Sequence, residues 1–364
     1  VSMSLAFELT PSLVKIEEIE IQPVFSTLYQ QYATESIGKV ILRNKRKKPL
    51  PVTVSVFLPD YMETPTEVAQ DVALIGQTGD ELAFAEPVAV KPVLNNNILT
   101  IEQSTQTQVE VAVTYEYLNR TRTVRKSGTV TIYRPGILPL GDSVAPIAAL
   151  IDPFDPAVEN FAREVVSRYG GQRSMRIVNK RISQAMQLYN ALNGIGVKYM
   201  PDPDNPYGST AIDSVKYPRT LLDLKASKTG DCDDESALYA ALLESVGIRT
   251  QLVGMPGHVY VMFDTGIHKR KAASLCLPEE QYVILQGSSH VWIPVEVTRF
   301  GNPDDSSFLA AWKEGIQEYR QWLKTDPEQV EVVDVHRAWN TGYDYNHPSD
   351  EVPEVDIPPR TKVD

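Results

Sequence analysis

Gly230-Asp231-Cys232-Asp233-Asp234-Glu235-Ser236 runs straight into the apolar stretch Ala237-Leu238-Tyr239-Ala240-Ala241-Leu242-Leu243, which places Cys232 in the first turn of a helix. First-turn N–H groups lack intrahelical acceptors and the helix dipole adds positive potential, so a thiol there is a candidate nucleophile. Such a nucleophile needs a base or ion-pair partner, and that partner needs an acceptor to orient it. The chain has five histidines. His258 is the best placed, because it follows the Pro256-Gly257 turn and opens the alternating run Val259-Tyr260-Val261-Met262-Phe263, at the mouth of a sheet. His268 stands beside Lys269-Arg270-Lys271, His290 follows the Ser288-Ser289 turn, and His336 and His347 fall near the end. For the orienting acceptor, Glu296 is the only carboxylate in the otherwise apolar strand around Trp292-Ile293-Pro294-Val295. A carboxylate there is costly to bury without a partner, and facing His258 supplies one.

The acids around Cys232 oppose a thiolate, since neighbouring negative charge disfavours it, and a charged His258 must compensate. Their own pattern reads as helix capping and dipole complementarity rather than a calcium loop, which wants ligands spaced around a glycine turn. The two cysteines, Cys232 and Cys276, form neither a disulfide framework nor a C-x-x-C zinc spacing. Cys276, between Leu275 and Leu277, reads as a packed thiol. No metal and no cofactor is expected.

The elements that must position these residues change character along the chain. Residues 1–140 read as an all-β domain: Lys39–Arg43, Val52–Leu58 and Val109–Tyr115 alternate or cluster β-branched residues between turns rich in Asn, Gly and Pro. Several short strands without an amphipathic helix predict an immunoglobulin-like β-sandwich. Residues 141–330 read as α+β. Val158, Phe161, Ala162, Val165, Val166 and Tyr169 form one helical stripe, Ile177 to Leu192 a second, and Phe308, Trp312, Ile316, Tyr319 and Leu323 a last one. Between them lie strand-like runs at Arg249–Met255, His258–Phe263, Gln281–Gln286 and Val291–Val297, which predict an antiparallel sheet. Residues 331–364 read as an acidic, Pro-rich tail, extended or without a core of its own.

A net charge of −12 argues against a nucleic-acid partner, because affinity for phosphates comes from Lys and Arg. No apolar run approaches the roughly 20 residues a membrane span needs. The basic cluster Arg43-Asn44-Lys45-Arg46-Lys47-Lys48 reads as a solvated hairpin loop.

Gly-Asp-Cys leading a helix, the helix ending in Val246-Gly247-Ile248, Gly257-His258 opening a strand, and Trp292-x-x-x-Glu296-x-Thr298 in a further strand together resemble the transglutaminase-like superfamily of papain-type cysteine enzymes. The resemblance covers about residues 145–325; Ile195–Tyr199 and Tyr217–Leu221 are similar to the approach to the nucleophile in bacterial members. It implies Cys232 as nucleophile, His258 as base and acid, and Glu296 as orienting carboxylate. The family more often has Asp at the third position, while a bacterial subset carries Glu in a Pro-Val-Glu-x-Thr setting. It further implies thioester chemistry on a peptide or carboxamide bond, a protein or peptide substrate, and a place outside the cytoplasm. The oxyanion donors would be the Cys232 N–H and an upstream side chain, with Tyr199 or Tyr217 as candidates. A fold does not guarantee its chemistry, so a non-catalytic binding or scaffolding module is the alternative.

Overall fold

The computed structural model describes residues 12–74, 87–141, 143–169, 179–201, 212–275, 277–346, 351–355 and 357–358, so Cys276 and His347 lie outside the described residues. The chain divides into two compact units, Val1–Pro135 and Gly136–Asp364.

The first unit is built from β1 (Val14–Ile21), β2 (Val24–Phe25), β3 (Gly38–Asn44), β4 (Leu50–Phe57), β5 (Thr66–Leu74), β6 (Val88–Ala89), β7 (Thr105–Tyr117) and β8 (Arg120–Tyr133), with two 3-10 segments at 26–33 and 96–100. Alternation buries one side of each long strand: Val52, Val54 and Val56 of β4 and Val109, Val111 and Val113 of β7 are buried, while the residues between them are not. Among the described residues two sheets result, in the orders β1-β3-β6 and β2-β8-β7-β4-β5. The long hairpin of β7 and β8 closes on Leu118-Asn119, both with positive φ (53° and 56°), the type I′ geometry that matches strand twist.

The second unit is mixed α+β. Its elements are β9 (Ile137–Leu138), α1 (Pro156–Tyr169), α2 (Lys180–Gly194), β10 (Lys198–Tyr199), β11 (Asp213–Ser214), α3 (Pro218–Leu222), β12 (Thr229–Gly230), α4 (Cys232–Ser245), β13 (Thr250–Met255), β14 (His258–His268), β15 (His290–Val295), α5 (Phe308–Thr325), β16 (Glu331–Asp334) and α6 (Val335–Asn340). The main sheet, in the order β15-β14-β13-β16, is antiparallel throughout. α4 lies at the centre, with every residue from Cys232 to Glu244 buried and α1, α2, α3, β13 and β14 against it. A helix enclosed on all sides must be apolar on all sides, and Ala237 to Leu243 supply that.

The strand expected at Gln281–Gln286 does not form. Its carbonyls are taken by α5, with Trp312 Nε1 donating to Gln281 O (2.7 Å) and Arg320 to Tyr282 O (3.1 Å), and only Val283 bridges to Trp292. The sheet's fourth strand is β16, from residues expected in the tail. Val332 and Val333 pair with Val253 and Leu252 of β13, so two β-branched residues suffice where an existing sheet edge receives them. Beyond α6 the acidic segment is extended but anchored: Arg219 donates to Glu351 O (2.8 Å), Leu224 N to Glu354 O (2.8 Å) and Arg168 to Pro358 O (2.9 Å). Among the described residues, no helix is long and apolar enough to cross a membrane.

Candidate active site

The Gly-Asp-Cys turn is held from three directions. β12 pairs in parallel with β10, and Met200 N donates to Gly230 O (2.7 Å). Asp231 caps α4 by accepting from Asp234 N (3.3 Å), and Asp234 reaches back to Asp231 N (3.4 Å), a reciprocal capping box. Lys216 donates through its backbone N to Asp234 Oδ1 (2.6 Å) and pairs through Nζ with Oδ2. Glycine is required at 230, because a Cβ there would stand 2.7 Å from Asp234 Cβ. Cys232 is thereby fixed as the first residue of the helix, buried with 3% of its surface exposed.

β13 and β14 form a hairpin on the Pro256-Gly257 turn that pairs Met255 with His258. His258 Nε2 lies 2.8 Å from Glu296 Oε2. Glu296 follows β15 directly and opens a short 3-10 turn, 297–299. Its other oxygen accepts from Thr298 N (2.9 Å) and Thr298 Oγ1 (2.7 Å), which is the physical content of the Glu-x-Thr spacing. α5 pins this strand end: Glu296 N donates to Ala311 O (3.0 Å), and a Cβ on Gly315 would meet Glu296 N at 3.0 Å.

Burial opposes charge on His258, but the hydrogen bonds with Cys232 and Glu296 and their negative charge outweigh it and raise the imidazole to about 10. It is therefore cationic at neutral pH. Burial likewise opposes charge on Glu296, and the bonds from His258 and Thr298 overcome it, holding the carboxyl below its ordinary range.

The acids next to Cys232 do more than cap. Burial, with the charge of Asp231, pushes Asp234 up to about 6 against its bonds from Lys216. Asp233 is raised well above its ordinary value, by burial first and then by the neighbouring Asp231. Glu235 is fully buried, and neither carboxyl oxygen has a partner among the described residues; burial and then the charges of Asp234 and Asp231 push it up to about 11. Asp213, Asp231 and Asp233 bring carboxylate oxygens within 4.8 Å of one another, an oxygen-only set that suits a hard cation.

Of the two oxyanion candidates, Tyr199 pairs with Gly230, two residues before Cys232, and burial first, then the charge of Cys232 and Asp231, pushes its phenol up to about 12. Tyr217 points its hydroxyl to Asn346 Oδ1 (3.1 Å) instead. The other described histidines are placed elsewhere. His290 pairs with Asp264 (2.9 Å), His336 with Glu244 (2.8 Å), and His268 ends β14. Sequence reasoning missed Glu318, whose Oε2 lies 3.8 Å from His258 Nε2. It flanks the apolar stripe of α5 one turn after Glu314, a spacing that marks a helix face but not what that face meets.

No family model matches this chain, and no curated protein is found to match it.

Proposed function

We propose that this chain is a transglutaminase-like cysteine enzyme that acts on a peptide or carboxamide bond through a thioester at Cys232. The observation that supports this most is the position of His258, 2.8 Å from the buried Glu296 and with Cys232 among the groups that favour its charged form. Cys232 Sγ attacks the carbonyl carbon, and the C–N bond breaks as His258 gives its proton to the leaving amine. Water, or a lysine amine, then attacks the thioester, His258 takes the proton from that nucleophile, and the thiol is restored as the acyl product leaves. The Cys232 N–H at the start of α4 and the Tyr199 hydroxyl are the oxyanion donors in this reading. We take the unit 1–135 to be of immunoglobulin-like type, a recognition or spacer element of a protein that works outside the cytoplasm.

One observation favours a second reading, a non-catalytic binding module: Cys232 is only 3% exposed, as an inert structural thiol would be. Alkylation by iodoacetamide at pH 7 separates the two. The enzyme reading expects Cys232 to react at least about tenfold faster than Cys276, with His258→Ala removing the difference. Equal, slow alkylation of both thiols, unchanged by His258→Ala, overturns it.

A further inference from the structure

In the first unit the β3–β4 loop and the β7–β8 turn end side by side. Asn44 is fully buried and closes the loop, donating through Nδ2 to Lys48 O (2.9 Å) and accepting from Arg46 N (2.9 Å). Leu13 ties the loop to β7, because Lys45 N donates to Leu13 O (2.9 Å) and Leu13 N donates to the Tyr115 hydroxyl (3.1 Å). The Arg46 guanidinium lies over the Tyr117 ring, 5.3 Å from its centre, a cation–π contact. Across the hairpin Arg122 pairs with Tyr115 and Arg120 with Tyr117, so both arginines share the face of those two tyrosines.

Lys45, Arg46, Lys47, Lys48, Arg120 and Arg122 are thus gathered at one end of the unit, and none of the six has an ion-pair partner among the described residues. Carboxylates of the same strands are engaged elsewhere: Glu17 pairs with Lys15 and Arg43 (both 2.7 Å), and Glu116, on the opposite face from Tyr117, accepts from Thr121. The chain as a whole carries −12, but charges more than about 8 Å apart in solvent are largely screened at physiological salt, so this end presents its own positive field. At its tip, between Tyr117 and Arg120, stands Leu118. It is 78% exposed, the most exposed large apolar side chain among the described residues, in a left-handed conformation (φ 53°) that a branched side chain adopts at a cost. A merely solvated turn is served better by Asn or Gly.

We propose that this end of the first unit docks on an anionic membrane surface, with Leu118 entering the acyl boundary, Tyr117 at headgroup level and the six cations on lipid phosphates. Cations alone suit any polyanion. A strained, exposed Leu set among cations and beside an aromatic ring gains energy where an apolar layer lies beneath a negative one, and a bilayer surface has that order. Tyr is at home at the same boundary, because its ring is apolar and its hydroxyl polar. As a solvated loop, residues 45–48 would need no partner; what the fold adds is Leu118 and two arginines beside them. The docking is peripheral and stands apart from the chemistry proposed for Cys232.

The test is co-sedimentation of the full chain with vesicles of phosphatidylglycerol and phosphatidylcholine in equal parts, and with vesicles of phosphatidylcholine alone. Wild type is compared with the combined variant Lys45→Gln, Lys47→Gln, Lys48→Gln and with Leu118→Asn. Wild type is expected to bind the anionic vesicles and not the neutral ones, and to be released as salt rises from about 0.1 to about 0.5 M. The combined lysine variant is expected to bind about a hundredfold more weakly, and Leu118→Asn about tenfold more weakly. All four substituted positions are exposed, so circular dichroism of each variant should match wild type. Soluble polyphosphate supplies phosphate charge without an apolar layer. A Leu118→Asn variant that binds vesicles as tightly as wild type marks a general polyanion site, which polyphosphate would fill equally well, and overturns the membrane proposal. Equal binding to neutral and anionic vesicles, binding to neither, or a lysine variant that binds like wild type overturns it as well.

Discussion

Glu235→Gln is expected to change how stability depends on pH, and the structure sets the size. Glu235 is fully buried, without a hydrogen-bond partner for either oxygen among the described residues, and burial together with Asp234 and Asp231 pushes it up to about 11. The unfolded chain releases the same proton near its ordinary value of 4.5. Between those limits folding takes up a proton, so stability falls as pH rises, by about 1.4 kcal/mol per unit. At pH 7 the loss relative to pH 4.5 is about 3 kcal/mol, a large share of a domain's stability. Gln cannot ionise, so the stability difference between variant and wild type should grow by about 1.4 kcal/mol per unit from pH 5 to pH 8. Urea unfolding followed by tryptophan fluorescence measures it in the relevant unit alone, because all four tryptophans lie at 292, 312, 322 and 339. The amide brings new N–H donors into the same space, but that offset is the same at every pH, so the slope carries the result. Parallel stability curves over this range refute the reasoning, since Glu235 would then bind its proton equally in the folded and unfolded chain.

Leu118 is 78% exposed and holds a left-handed conformation in the β7–β8 turn, which Asn tolerates better. Leu118→Asn is expected to stabilise the first unit by about 1 kcal/mol, read as a rise in its thermal midpoint by circular dichroism; an unchanged or lower midpoint argues against strain there. Thr298→Val removes the hydroxyl bond to Glu296 Oε1 while keeping the side chain's shape. It is expected to cost about 2 kcal/mol of stability and to bring the titration of His258 down from about 10, by proton NMR of the imidazole; an unmoved titration shows that Thr298 does not support the carboxylate.

Much of this site was legible because chemistry-bearing residues stood out against apolar text. Glu296 was an acid in an apolar strand, His258 followed a Pro-Gly turn, and Cys232 began a helix, and the structure places His258 2.8 Å from Glu296. What was not legible depended on partners far away in the chain. Gln281–Gln286 has strand composition, but Trp312 and Arg320, more than thirty residues on, claim its carbonyls. β16 was hidden for the opposite reason: its two valines sit among acids, and only the waiting edge of β13 makes them a strand. Glu318 reads as a solvent-side residue of α5 until Gly315 shows which strand end that helix closes on.

The acidic first turn, which counts against a reactive Cys232 when charges are read off the sequence, counts for less in the folded protein. Of the acids around Cys232, Asp234 is paired with Lys216, burial raises Asp233 well above its ordinary value, and Glu235 keeps its own proton well past neutral pH. Four formal negative charges thus shrink before His258 has to offset any of them. Burial, which makes each of these carboxylates costly as an ion, is the force that removes their charge. It also explains why the cationic His258 can persist at the same place. Its partners are Glu296, which Thr298 holds as an anion, and Glu318, 3.8 Å from Nε2.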